Sequence, residues 1–244
     1  MVNYKLILEY DGTDFSGFQI QPERRTVQGE MQHALNRLFP DGYCLAAAGR
    51  TDAGVHALGQ VVNVRAEKRF APETLQNALN ANLPGDVAVK QVEMVPLDFH
   101  ARFSACRRSY DYRVTTVPTA LQRNFVWKIS FIPKLETLQQ CAEIVRANEN
   151  FESFTKAGAE VRHFLCTVED SRWEQDEADF VYHISANRFL HNMVRILVGS
   201  MLEVARGRFS IPEFEEMFGA RDRKAAGLTA PARGLMLVRV DYKC

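Results

Sequence analysis

Apolar and polar positions alternate at the start of the chain, where Tyr4, Leu6, Leu8 and Tyr10 are interleaved with Lys5, Ile7 and Glu9 before the pair Asp11-Gly12. A period of two that ends on such a pair predicts a strand followed by a turn. From Val27 the spacing changes. Val27, Met31, Ala34, Leu35 and Leu38 recur at helical intervals and stop before Pro40-Asp41-Gly42, so a helix comes next. Strands are expected at residues 43–48, 60–65 and 87–95. Between the last two, a helix opens at Pro72, carries Leu75, Ala78, Leu79 and Leu83, and closes at Pro84-Gly85.

The second half is written in the same style. Strands are expected at residues 108–116, 167–173, 179–186 and 235–242, and a helix at 135–147 carries Leu135, Leu138, Ala142 and Val145. Residues 190–206 are apolar nearly all round, which predicts a buried central helix. Ser210 and Glu213 have the spacing of a capping box for a short helix reaching Phe218. Strands and helices mix without strict alternation, so the expected class is α+β with a largely antiparallel sheet. No low-complexity linker interrupts the chain. The two halves, residues 1–105 and 106–244, are therefore expected to share one sheet.

Composition narrows the class. With 244 residues, 46% hydrophobic and 25% charged, the chain can bury about 70 to 75% of its unfolded surface and needs neither disulfides nor a structural metal. Disordered, collagen-like and disulfide-scaffold classes are excluded. The apolar run most like a membrane span, residues 196–202, lies between Arg195 and Glu203 and falls far short of the ~20 residues that span a bilayer. The N-terminus shows no apolar segment of the kind that directs secretion. Five widely spaced cysteines without a C-x-x-C pair read as reduced thiols in a cytoplasm. The six histidines include no H-x-x-x-H and no ligand-spaced Cys/His cluster, so no metal is expected.

Net charge is zero, from 30 basic and 30 acidic residues, but it is unevenly spread. Residues 102–123 hold five arginines (102, 107, 108, 113 and 123) and one acid, Asp111, whereas residues 169–179 hold six acids and one arginine. Of the 30 basic residues 22 are Arg, the side chain suited to bidentate contacts with phosphate. Solvated faces with intramolecular pairing would produce the same asymmetry.

Chemistry concentrates in Gly49-Arg50-Thr51-Asp52-Ala53-Gly54-Val55-His56-Ala57, between two expected strands. Gly49 and Gly54 can take conformations closed to other residues and admit a bulky ligand, while Asp52 projects between them. An Asp between glycines is ordinarily a turn former. The flanking Arg50 and His56 make this loop unusual for a connector.

That segment resembles the signature loop of the tRNA pseudouridine synthase A family. The opening block Tyr10-Asp11-Gly12-Thr13-Asp14-Phe15-Ser16-Gly17-Phe18-Gln19, with Thr26-Val27-Gln28-Gly29, is similar to the family's first block. His100-Ala101-Arg102-Phe103-Ser104-Ala105 followed by Arg108-Ser109-Tyr110-Asp111-Tyr112-Arg113 resembles its second. Phe189-Leu190-His191-Asn192-Met193-Val194-Arg195 and Ala225-Ala226-Gly227-Leu228-Thr229-Ala230-Pro231-Ala232-Arg233-Gly234-Leu235 resemble two more. Departures fall at Arg188, where a small residue is usual, at Phe18, where Trp is common, and at Met236, where an aromatic is common.

The resemblance implies a pseudouridine synthase fold, two related halves forming one largely antiparallel sheet with a central cleft. The Asp loop would lie in the first half, and a Tyr and an Arg of the cleft in the second. It implies a tRNA substrate at uridines 38 to 40 of the anticodon arm, a homodimer, and no cofactor. The reaction breaks the bond from ribose C1′ to uracil N1 and rejoins C1′ to C5. Glycoside hydrolysis needs two carboxylates; an isomerisation that excludes water can use one, and Asp52 is the outstanding candidate. It could be a nucleophile at sugar or base, or a base toward the sugar.

Arg195, which the resemblance places opposite Asp52, could orient it through a bidentate ion pair. A lone charge in the apolar run beginning at Met193 would be costly unless paired. The flat ring of Tyr110 could stack on uracil and its hydroxyl could help remove the C5 proton. By resemblance Arg50 fills the gap left by a flipped base. His56 shapes the loop, and Arg107 and Arg108 are candidate phosphate contacts. Two rivals remain at this point: an idle RNA-binding module, and a small-molecule hydrolase that would need a second acid near Asp52.

Overall fold

The alternation at the start of the chain is resolved as strand β1 (Val2–Tyr10), with Tyr4, Leu6, Leu8 and Tyr10 all buried. The computed structural model describes residues 1–158 and 161–243. After β1 come α1 (Val27–Leu38), β2 (Cys44–Ala47), β3 (His56–Ala66), α2 (Pro72–Asn80) and β4 (Val87–Val95). Next are β5 (Arg107–Thr115), the two-residue β6 (Trp127–Lys128), α3 (Leu135–Ala147), β7 (Val168–Asp176), β8 (Asp179–Ala186), α4 (Met193–Ala205), α5 (Ile211–Ala220) and β9 (Leu235–Asp241). The mixture is α+β, as the pattern predicts.

The chain forms two compact units, Met1–Cys106 with Leu237–Cys244, and Arg107–Met236. In the first unit β1 lies between β3 and β4, antiparallel to both, and β2 pairs with β3 in antiparallel register. The end of β9 also neighbours β3. A Cβ on Gly59 would stand 2.3 Å from the Val238 carbonyl oxygen, so only glycine admits this approach. Helix α1 starts where Thr26 caps it, accepting from the Gly29 N–H, and buries Val27, Met31, Ala34 and Leu35. Burial of Val27, Met31 and Leu35 contributes about 1.5–3 kcal/mol each.

In the second unit β8 lies between β5 and β7, antiparallel to both, and β6 adds to β5 in parallel. Helix α3 packs on β7 and against α4 and α5. Phe151, Phe154, Phe214 and Phe218 form an aromatic cluster, with the rings of Phe154 and Phe218 4.5 Å apart. The expected capping box is present: Ser210 Oγ accepts from the Glu213 N–H, and the Glu213 carboxylate accepts from the Ser210 N–H. Helix α4 is buried along nearly its whole length. It begins at Met193 rather than at residue 190, because Asn192 takes a left-handed conformation (φ 64°) that no helix continues through.

Among the described residues no helix is long and apolar enough to cross a membrane. The expectation of five reduced cysteines needs correction: Cys44, Cys141 and Cys166 are free, whereas Cys106 is disulfide-bonded. Its backbone N–H donates to Asp241 O across 135 residues, a juxtaposition with β9 that cysteine spacing does not show. Burial pushes the Cys141 thiol up to about 12 and the Cys166 thiol up to about 11, leaving both protonated and inert.

Candidate active site

The carboxylate loop is short. Strand β3 already begins at His56, so the loop between β2 and β3 is residues 48–55. Asp52 is half-buried, with Thr51 and Val55 buried on either side of it and Arg50 exposed. The Val55 N–H donates to Asp52 O at 3.2 Å, closing a β-turn. Gly54 occupies the third position of that turn at φ 76°, a conformation that favours glycine. Gly49 does not share this role. Its φ is not in the left-handed region and a Cβ there would meet nothing within 4 Å.

The opening block clasps this loop, a function that inspection of either segment alone does not disclose. The Phe18 N–H donates to Thr51 O at 3.0 Å, and the Gly54 N–H donates to Phe15 O at 3.3 Å. Gly17, at φ 101°, comes so close that a Cβ would meet Thr51 O at 3.0 Å; one on Gly12 would meet Val55 O at 2.0 Å. The Tyr10 and Thr51 hydroxyls are hydrogen-bonded at 2.7 Å, and Gln60 Nε2 donates to Gly49 O at 3.2 Å. The block itself is tied down by Arg25, which stacks on the Phe15 ring at 4.2 Å and forks onto the Asp86 carboxylate at 2.6 and 2.8 Å.

His56 is 1% exposed. Its Nδ1 accepts from the Gly12 N–H at 3.0 Å and lies 3.1 Å from Asp11 Oδ1. It therefore joins β3 to the opening block.

Within the second unit, Tyr110 is half-buried on β5, and its ring meets that of Phe189 edge to face at 5.1 Å. Tyr112, on the same face of the strand, is a core residue: it is fully buried, and its hydroxyl donates to Pro231 O at 2.7 Å. Burial holds the Tyr112 phenol well above its ordinary range, opposed by the charges of Arg195 and Arg233.

Arg195 stands in the first turn of α4. Its Nε donates to Ala230 O at 2.8 Å and its Nη1 to Asn192 Oδ1 at 3.1 Å, while its own carbonyl accepts from the Ala230 N–H at 3.0 Å. The segment carrying Ala230 is locked onto α4 at Gly199, where a Cβ would meet Leu228 O at 1.9 Å, and at Ser200, whose Oγ accepts from the Gly227 N–H at 2.9 Å. The guanidinium is thus held by two separate segments. A cation at the positive end of a helix is unfavourable unless an anion is brought to it.

The basic stretch is partly spent on intramolecular contacts. Arg107 pairs with Glu169 at 2.7 Å, joining the basic segment to the acidic one, and Arg108 donates to Asn187 O at 2.8 Å. Its lone acid, Asp111, accepts from His183 Nδ1 at 2.7 Å. Near the end of α5, Arg221, Asp222 and Arg223 line a cavity of about 330 Å³ with Lys156 and Glu152. Among the described residues no group of three or more His, Cys, Asp or Glu is placed to hold a metal ion.

Comparison with known proteins matches the two stretches that carry Asp52 and Arg195. A family model described as tRNA pseudouridine synthase covers residues 6–104 and 148–243; Tyr110 lies outside the matched residues. The chain is 41% identical over 234 residues to the tRNA pseudouridine synthase A of Halalkalibacterium halodurans, covering 95% of this chain and 89% of that protein. To the proteins of the same name from Moorella thermoacetica and Limosilactobacillus reuteri it is 40% and 37% identical, covering 98% or more of this chain and 97% or more of theirs. On these grounds the chain belongs to the tRNA pseudouridine synthase family.

Proposed function

We propose that this chain isomerises uridines 38 to 40 in the anticodon arm of tRNA to pseudouridine, acting as a homodimer in the cytoplasm. The observation that carries the reading is the double clasp on the Asp52 loop. Backbone hydrogen bonds from Phe18 and to Phe15, with close approaches at Gly12 and Gly17, hold the backbone that carries one carboxylate in a chain of this family. Such preorganisation suits a group that must act on a bound ribose or base without water.

In the proposed sequence the target nucleotide is flipped from its stack and Arg50 occupies the space it leaves. Asp52 then acts at C1′ or at the base as nucleophile, or as a base toward the sugar. The C1′–N1 bond breaks, uracil turns, and the C1′–C5 bond forms. The C5 proton leaves and N1 ends protonated, so no atom is gained or lost. Tyr110 supplies a ring to stack on uracil and a hydroxyl for the C5 proton. Arg195 offers its guanidinium fork to an anion, which would answer the unfavourable siting of a cation at the start of α4. Arg107 and Arg108 contact phosphates, and His56 positions the loop.

The test is incubation of the purified protein with unmodified tRNA, followed by mapping of pseudouridine at nucleotide resolution. Pseudouridine at positions 38 to 40 is expected. Asp52→Asn, which keeps size and removes charge, should abolish it while leaving tRNA affinity within a few fold. Modification confined to other positions overturns the substrate assignment, and appreciable turnover by Asp52→Asn overturns the catalytic one.

A further inference from the structure

In the first unit, the turn after Phe99 presents an aromatic ring to solvent. Phe103 is 76% exposed. The His100 ring stands beside it, centroids 4.4 Å apart and tilted by 37°, and the Arg102 guanidinium lies 5.6 Å from its centroid. The backbone beneath this ring is pinned. The Ser104 N–H donates to His100 O at 2.9 Å, and Ser104 Oγ accepts from the His100 N–H at 3.0 Å. His100 Nδ1 accepts from the Arg102 N–H at 3.1 Å. Beneath the turn, buried Asn63 accepts from the Ala101 N–H at 2.9 Å, and the Tyr242 hydroxyl donates to Ala101 O at 2.9 Å.

A rigid, outward-facing ring with a second π system and a guanidinium at its side has the features that bind unstacked nucleobases: a flat face for the base and a cation for the adjoining phosphate. Arg102 and Ser104, its neighbours in sequence, are exposed and polar, so Phe103 is the one exposed large apolar side chain within this turn. The reacting uridine must be shielded from water. A ring this open to solvent suits a base beside it instead.

We propose that Phe103, flanked by His100 and Arg102, is a stacking platform for an unpaired base of the tRNA other than the one isomerised. The inference rests on the reading of tRNA as substrate and adds a contact to it. Phe103→Ala should weaken binding of unmodified tRNA about 5- to 100-fold. Phe103→Trp and Phe103→Tyr should stay within about threefold of wild type. Stacking displaces no counterion, so the slope of log K against log salt should be the same in Phe103→Ala as in wild type. Thermal unfolding and sedimentation of each variant show whether fold and assembly are intact.

Unchanged affinity in Phe103→Ala overturns the proposal, as does full affinity in Phe103→Leu, which keeps apolar bulk without a π face. A change in assembly with tRNA affinity unaltered assigns the ring to a protein interface and also overturns it. These readouts are independent of catalysis. Failure of the wild-type protein to form pseudouridine would overturn the functional reading while leaving the binding series intact.

Discussion

The hydroxyl oxygens of Tyr10 and Thr51 lie 2.7 Å apart, tying the last residue of β1 to the residue immediately before Asp52. Both side chains are buried, and burial pushes the Tyr10 phenol up to about 12 against the lowering effect of hydrogen bonds with Thr51 and Gln60. The phenol is therefore neutral at working pH. Tyr10→Phe should cost about 1–2 kcal/mol by orphaning a buried hydroxyl. Turnover should fall more than tRNA affinity, because the change loosens the carboxylate loop. Chemical denaturation and single-turnover kinetics check both parts. Adding Thr51→Val removes the orphan, so the double variant should recover stability and not rate.

For Arg195 the geometry separates charge from shape. A lysine keeps the charge but gathers its donors on one nitrogen, whereas Arg195 reaches Ala230 O and Asn192 Oδ1 from two nitrogens of a planar fork. Arg195→Lys should retain the fold and lose at least tenfold in single-turnover rate, and Arg195→Ala should lose more. Wild-type rates in the lysine variant would show that the fork is not used.

Tyr110 offers two properties that substitution can divide. Tyr110→Phe keeps the ring that packs edge to face on Phe189, whereas Tyr110→Leu loses ring and hydroxyl together. If the hydroxyl takes the C5 proton, the Phe variant should stall before tritium release from tRNA labelled at uridine C5. Normal release would leave Tyr110 as a platform alone.

His183 gives a pH dependence of stability with a definite sign. Its hydrogen bond to Asp111 raises its pKa above the ordinary histidine value, opposed by partial burial. The protonated imidazole then favours the folded state. This contribution is whole below a pH of about 6.5 and is lost as pH rises through the raised value. Melting temperature should therefore decline from about pH 6.5 upward in the wild type, and Asp111→Asn should flatten that decline.

Affinity for a polyanion depends on the contacts made, not on a net charge of zero. Replacing Arg107 and Arg108 together with Gln should weaken tRNA binding and reduce the log K against log salt slope by about one to two. Because Arg107 is paired with Glu169, Glu169→Gln should strengthen binding slightly. An unchanged slope in the double arginine variant moves the RNA-binding face elsewhere, with Arg221, Arg223 and Lys224 the next to test.

Local physics was legible in the sequence. The periodicity of Val27 to Leu38, the capping box at Ser210 and the run at residues 135–147 each depend on neighbours within a few positions, and each appears as expected. What was hidden depends on distant partners. The strand expected at residues 60–65 reaches back to His56, with Gly59 inside it where the Val238 carbonyl comes close. The carboxylate loop was visible as chemistry, but its clasp by Phe15, Gly17 and Phe18 was not, nor was the seat of Arg195 on a carbonyl 35 residues away. Phe103 sat in plain view within a recognised block; only its exposure on a pinned turn marks it out.

The inclusion of Leu237 onward in the first unit bears on the order in which the protein is made. The ribosome delivers all of Arg107–Met236 before the segment that lies beside β3, so the second unit, contiguous in sequence, can fold while the first still lacks a strand. Until then β3 must wait with the Gly59 backbone bare, and its pairing joins residues as far apart in sequence as Gly59 and Val238, so closure is correspondingly slow. The Asp52 loop grows from the start of that same strand. Completion of the strand that carries the Asp52 loop is thereby tied to synthesis of the residues from 237 onward, and a nascent chain stalled before them would carry Asp52 on an unfinished sheet.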